Sequence, residues 1–177
     1  MIKIEEYIRT VPDYPVPGIN FYDTNSLFAS EAWGLTVEEL CKKMDYGYCF
    51  GKVITKIVGI ESRGFVVGQA IASEMIKPFV MVRKKGAKYP GKLLEESYEL
   101  EYGTDTLTLQ QGILGHTDRV IIADDLIATG GSVLATKRLV EQTGAKVVGV
   151  ATLINLKYLN TTECSELDIV SMYEPKS

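Results

Sequence analysis

The run Val120-Ile121-Ile122-Ala123 stops at two adjacent carboxylates, Asp124 and Asp125. Leu126-Ile127 and then Ala128-Thr129-Gly130-Gly131-Ser132-Val133 follow, a hydroxyl-Gly-Gly-hydroxyl turn that opens a helical pattern. Continuous apolar runs of this kind are parallel strands buried on both faces. A strand-to-helix turn at the carboxyl edge of such a sheet is where α/β proteins hold ligands. Paired glycines let backbone N–H groups converge on an anion, and the helix adds the positive end of its dipole. Thr129 and Ser132 add hydroxyl donors. The turn therefore suits a phosphate monoester, with Asp124 and Asp125 one step back to accept hydrogen bonds from sugar hydroxyls. Two glycines after a strand are often no more than a tight βα turn. The acid pair and both hydroxyls at this spacing point to a ribose phosphate.

Strand-like and helix-like runs alternate around this stretch. Lys56–Ile60, Phe79–Val82, Val120–Ala123 and Lys146–Leu156 read as buried strands, and Asp168–Met172 as a final edge strand. Helical patterns cover Phe65–Met75 and residues 132–143, the latter ended by Gly144. Ser30 to about Met44 is also helical, with Ala32, Trp33, Val37, Leu40 and Met44 on one side, Ser30 as a start cap, and Thr36 to Glu39 as a capping box for a second segment. Residues 1–10 predict a short amphipathic helix, and Val11 to Gly18, with three prolines, a stiff extended linker. Ser97–Leu109 alternates around Gly103 as a hairpin would. The order predicts an α/β fold with a mostly parallel, twisted sheet flanked by helices.

At 177 residues one domain, 1–177, is expected. Net charge of −4 argues against a general nucleic-acid or membrane-surface binder. Cys41, Cys49 and Cys164 match no Cys-x-x-Cys spacing and suit reduced thiols in a cytoplasmic protein. No apolar run approaches the roughly 18 residues of a membrane span, and Met1 to Glu6 carries no signal-peptide core.

Within this acidic chain, Arg83 to Lys92 holds five basic residues in ten, flanked by glycines and a proline that permit hinging. Such a loop reads as a lid whose cations meet a polyanion and exclude water on closing. Gly86 to Lys92 also satisfies the Gly-x-x-x-x-Gly-Lys core of a P-loop. Leu93 follows where a magnesium-binding hydroxyl belongs, and Pro90 removes an N–H from the cradle, so an ATPase is not expected. Arg63, in Glu61-Ser62-Arg63-Gly64-Phe65, sits at a strand end and suits a phosphate. Glu99 and Glu101 share one face if extended. His116 reads as a surface turn residue.

Four blocks occur in order: Val11-Pro12-Asp13-Tyr14-Pro15 with Pro17-Gly18-Ile19; Glu61 to Phe65; Tyr98-Glu99-Leu100-Glu101-Tyr102-Gly103-Thr104-Asp105; and Val120 to Ser132. Together they resemble the adenine phosphoribosyltransferase family of type I phosphoribosyltransferases, over about Ile8 to Leu159. The resemblance implies transfer of phosphoribose from phosphoribosyl pyrophosphate (PRPP) to adenine, with Mg²⁺ held mainly through PRPP and no direct protein ligand, in a homodimer. It implies phosphate binding by Ala128, Thr129, Gly130, Gly131 and Ser132, and ribose binding by Asp124 and Asp125. Pyrophosphate would meet Arg63, Lys84, Lys85 and Lys88. Glu101 would be the acid/base group, and Ile19, Asn20, Phe21 and Leu156 would form the base slot. A small N-terminal hood over residues 1–30 and a flexible lid over 83–97 are implied too. Tyr22 stands where several members carry Arg, and the lid is one residue longer than usual. The neighbouring expectations are a hypoxanthine or guanine transferase and a non-catalytic PRPP-sensing regulator.

Overall fold

The computed structural model describes residues 2–46, 48–49, 51–99 and 103–176. In chain order the elements are β1 (Arg9–Val11), β2 (Phe21–Asp23), α1 (Asn25–Phe28), α2 (Ala32–Lys43), β3 (Tyr48–Cys49), β4 (Lys52–Val53), β5 (Lys56–Ile60) and α3 (Arg63–Glu74). There follow β6 (Phe79–Lys84), β7 (Leu93–Glu99), β8 (Thr104–Gln110), β9 (Arg119–Ile127), α4 (Gly131–Gln142), β10 (Lys146–Asn155), α5 (Thr162–Ser165) and β11 (Ile169–Tyr173).

Seven strands form one sheet in the order β11-β10-β9-β5-β6-β8-β7. The first five run parallel, and β8 pairs antiparallel with both β6 and β7. Side chains alternate across the parallel strands, so one sheet carries two cores. Ile57, Ile121, Ala151 and Leu153 face a cluster with Ile71 of α3 and Leu40 of α2. Val58, Ile122 and Val150 face the other, with Val133 and Leu139 of α4. From β5 the chain first builds outward to β6, then returns to lay β9 on the opposite side of β5. The strand order thus reverses between β5 and β9, and the crevice beyond their carboxyl ends is the place such a sheet offers a ligand.

The sequence and the structure part in a few places. Among the described residues of the expected helix over 1–10, Ile4–Glu6 form a 3-10 turn, and Arg9–Val11 pairs with Phe21–Asp23 instead of coiling. Ile4 and Ile8 are still buried, and Arg9 bonds Asp23 at 2.6 Å, so tertiary contacts outweigh the helical spacing. The Ser30 hydroxyl does accept from the Ala32 N–H at 3.2 Å. Thr36 caps nothing: it lies inside α2, where its hydroxyl donates to the Ala32 carbonyl, and Glu39 accepts from the Ile2 N–H. β9 runs four residues past Ala123, carrying both acids within the strand. No helix among the described residues is long and apolar enough to cross a membrane.

Candidate active site

The carboxyl ends of β5 and β9 lie side by side, with Gly59 opposite Ala123. Helix α3 starts at Arg63 and presses on β9 so closely that a Cβ at Gly64 would sit 2.8 Å from Asp124 Oδ1 and 2.9 Å from the Ala123 carbonyl. No side chain fits there, and the approach sets Arg63 over the acid pair. Arg63 Nε meets Asp125 Oδ2 at 2.7 Å, and the Thr24 hydroxyl donates to the same oxygen at 2.8 Å. Asp125 is 4 % exposed, so its charge is held by these two partners. The Asp124 carboxylate accepts from the Asp125 N–H at 2.9 Å. Burial and the adjacent Asp125 carboxylate push the Asp124 carboxyl well above the usual carboxylate range.

Beyond Ile127 the chain turns through Ala128 and Thr129 to Gly130, whose φ of +91° is a left-handed conformation open to glycine. A Cβ at Gly130 would also overlap the Cys164 sulfur. Gly131 and Ser132 start α4, whose first N–H groups have no intrahelical partner and face the crevice end of the sheet. Leaning onto this turn, Tyr98 and the Glu99 carbonyl approach to 3.1 and 3.3 Å of where a Gly131 Cβ would be. Ser97, Tyr98, Glu99, Thr129, Gly131 and Thr161 line the resulting recess.

A second, more apolar cavity of about 470 Å³ adjoins it on the β10 side. Ile19, Asn20, Phe21 and Leu156, the four residues expected to form the base slot, all line it, with Arg63 and Ala128 at its boundary with the acid pair. The Arg63 guanidinium lies 5.3 Å from the Phe21 ring centroid, and Tyr14 meets Phe21 edge-on at 5.2 Å. Tyr22, Leu126, Tyr158 and Leu159 also line it. Sequence reasoning did not single out the last three. Their only signal is adjacency to Asp125 and to Leu156.

The basic segment lies at the end of β6. Lys84 Nζ reaches Asp105 at 3.3 Å, and Lys85 reaches Glu95 at 2.7 Å, while Lys88 is exposed. Glu61 binds the root of this segment, accepting from the Lys84 N–H at 2.9 Å and pairing with Arg83 at 3.3 Å. Of the span 83–97, residues 93–97 are strand β7, so the irregular part is 85–92. It leads into a strand and presents no helix N-terminus, unlike a P-loop. Tyr98 donates to Asp105 at 3.4 Å, and burial, followed by that carboxylate, pushes its phenol up to about 12. Glu101 lies outside the described residues. Arg63 therefore joins Asp125 to the cavity lined by Ile19, Asn20, Phe21 and Leu156, Ala128 lines that cavity while Thr129 and Gly131 line the recess, and the lysines of the basic segment lie at the end of β6.

The thiols stand apart. Cys41, Cys49 and Cys164 are free and buried, and burial pushes Cys41 up to about 12 and Cys49 to about 11, which leaves them poor nucleophiles. His116 is exposed in the turn before β9. Among the described residues no group of three or more His, Cys, Asp or Glu could hold a metal ion.

Comparison with known proteins identifies the family and the fold. Residues 23–168 match the model of the phosphoribosyl transferase domain family. An adenine phosphoribosyltransferase of Rhodospirillum rubrum is 42% identical over 172 residues, covering 97% of each chain. The crystal structure of the adenine phosphoribosyltransferase of Thermoanaerobacter pseudethanolicus superposes with a TM-score of 0.88 at 36% identity, covering 97% of this chain and 98% of that one. The enzyme of Giardia lamblia, complexed with 9-deazaadenine, gives 0.87 at 30% identity, over 98% and 96%. The chain belongs to the phosphoribosyltransferases, in the adenine phosphoribosyltransferase family.

Proposed function

We propose that this crevice transfers the 5-phosphoribosyl group of PRPP to adenine, forming AMP and releasing pyrophosphate in purine salvage. The observation that carries the reading is continuity: the stretch Asp124 to Ser132, read as a ribose-phosphate floor, meets an apolar cavity of about 470 Å³ at Ala128 and at Arg63, the partner of Asp125. The 5′-phosphate is received by Ala128 to Ser132 at the start of α4, where N–H groups and the helix dipole favour an anion. Asp124 and Asp125 take the ribose hydroxyls. Adenine enters between Phe21 and Leu156, beside Ile19 and Asn20. Its ring nitrogen bonds to C1 of the sugar as the C1–pyrophosphate oxygen bond breaks, and the leaving electron pair stays on pyrophosphate. Positive charge grows on the sugar meanwhile, and a carboxylate, assigned to Glu101, stabilises it and takes the base proton.

Arg63, Lys84, Lys85 and Lys88 are the cations proposed for pyrophosphate. Asp125 already serves Arg63 and Thr24, and Mg²⁺ is proposed to arrive on PRPP oxygens. When bound, the ion neutralises charge on the leaving group. We further propose that residues 1–177 act as one domain, in which 1–30 is the hood and 83–97 the lid over the site, and that it works in the cytoplasm as a homodimer.

Incubation with PRPP, Mg²⁺ and each purine in turn, following pyrophosphate release, tests the reading. AMP formed from adenine alone is the expected result. Release with guanine or hypoxanthine only would assign the sister reaction. No release with any base would leave a PRPP sensor.

A further inference from the structure

The phosphate turn is gripped from behind by a short segment of its own chain. After β10 the backbone passes Leu156, makes a 3-10 turn at Lys157–Leu159 and returns beneath the turn at Asn160 and Thr161. Asn160 Nδ2 donates to the Ala128 carbonyl at 2.6 Å and also reaches the Leu156 carbonyl at 3.3 Å. The Thr161 N–H donates to the Thr129 carbonyl at 3.0 Å. Two successive carbonyls of the turn thus point at residues 160 and 161. In a planar trans peptide the carbonyl and the following N–H point in opposite directions. Holding the Ala128 and Thr129 carbonyls from behind therefore turns the Thr129 and Gly130 N–H groups the other way, toward the start of α4 and the phosphate site.

We infer that Asn160 is a positioning residue: by holding the Ala128 carbonyl it aims the amide of Thr129 at the 5′-phosphate. Its second bond links this turn to Leu156, a wall of the base cavity, so phosphate floor and base wall share one amide. The side chain is suited to the task. Two N–H donors on one planar group reach two carbonyls at once, which a hydroxyl would not do. Asn160 touches no substrate in this scheme and acts through Ala128. The inference rests on the phosphoribosyl reading of the site.

The test is binding of ribose 5-phosphate and of AMP by calorimetry, on the wild-type chain and on Asn160→Ala and Asn160→Asp. Both variants should bind ribose 5-phosphate about tenfold more weakly, the usual consequence of losing one well-made, partly buried hydrogen bond and leaving its carbonyl unpaired. In turnover, KM for PRPP should rise by more than kcat falls. The Asp variant supplies a readout that a general loss of stability would not move. Ionised, it has no donor and repels both carbonyls; protonated, it donates one bond again. The ratio of its dissociation constant to that of the wild type should therefore shrink as pH falls from about 8 to about 5, toward the range where a carboxyl crowded by carbonyls takes its proton. Undiminished affinity in both variants, or a ratio that does not change with pH, overturns the inference. A wild-type chain that binds neither ligand overturns the reading of the site itself, and the role of Asn160 with it.

Discussion

At the scale of single residues, the acid pair divides its labour by environment. Asp125 is paired with Arg63 and accepts from the Thr24 hydroxyl, whereas Asp124 accepts from the Asp125 N–H and has a like charge next door. Its folded carboxyl titrates above the unfolded value, because burial and Asp125 disfavour the charge. The folded state then holds a proton that the unfolded state has released. The stability this proton confers is complete below the unfolded value, near 4 for a carboxyl, and is lost as pH rises through the folded value. As pH rises past the unfolded value, Asp124 thus costs stability relative to acid pH. Asp124→Asn keeps the oxygen that accepts from Asp125 and removes the charge. Its melting temperature should exceed the wild type's by a few degrees at about pH 7.5 and match it at about pH 4, while the KM for PRPP rises. Scanning calorimetry across that pH range checks the sign, and an equal or lower melting temperature at the upper pH refutes it.

At the scale of elements, β9 marks where reading the sequence works and where it stops. Its apolar half announced a buried strand. The acids that follow looked like a strand end, since isolated charges do not stay in a sheet interior. Asp125 stays because Arg63 and Thr24, 62 and 101 positions away, supply its partners, and no local pattern encodes that. The same holds for β1: the Ile4 and Ile8 spacing suits a helix, yet a pairing with β2 decides the backbone. Ile19, Asn20, Phe21 and Leu156 became one cavity through a family resemblance, not through their own spacing. The basic segment was legible as charge alone. Its root is fixed by Glu61, while Lys88 is exposed and its interaction with pyrophosphate is proposed. An exposed lysine contributes little to folding and acts mainly through its field. Lys88→Ala should leave the melting temperature unchanged and raise the KM for PRPP about three- to tenfold at low salt, less as ionic strength shortens the Debye length. Steady-state kinetics at two salt concentrations decides this, and a KM equal to wild type at low salt counts against Lys88 as a pyrophosphate contact.

At the scale of the whole molecule, the doubly wound sheet accounts for both cores and the crevice, but it leaves apolar surface around α3 and β6 without cover. Phe65-Val66-Val67 looks uniformly core-like in sequence, yet Val67 is fully buried and Val66 is 43 % exposed. Met81 on β6 is 41 % exposed, and Ile76, just beyond α3, is 90 % exposed. Single exposed apolar side chains are ordinary, and for the homodimer proposed above these side chains on one helix and its neighbouring strand are the candidate contact. A twofold contact would use that surface on both copies, so one substitution would alter the contact twice. The proposed homodimer therefore has a definite consequence. Sedimentation equilibrium should give about twice the chain mass of 19.6 kDa, and Val66→Glu should shift the protein toward the single chain without lowering the melting temperature of its monomer, because that side chain lies outside both cores. A wild-type mass of one chain at all concentrations would dismiss the dimer. A Val66→Glu mass equal to wild type would keep the dimer and move its contact away from α3.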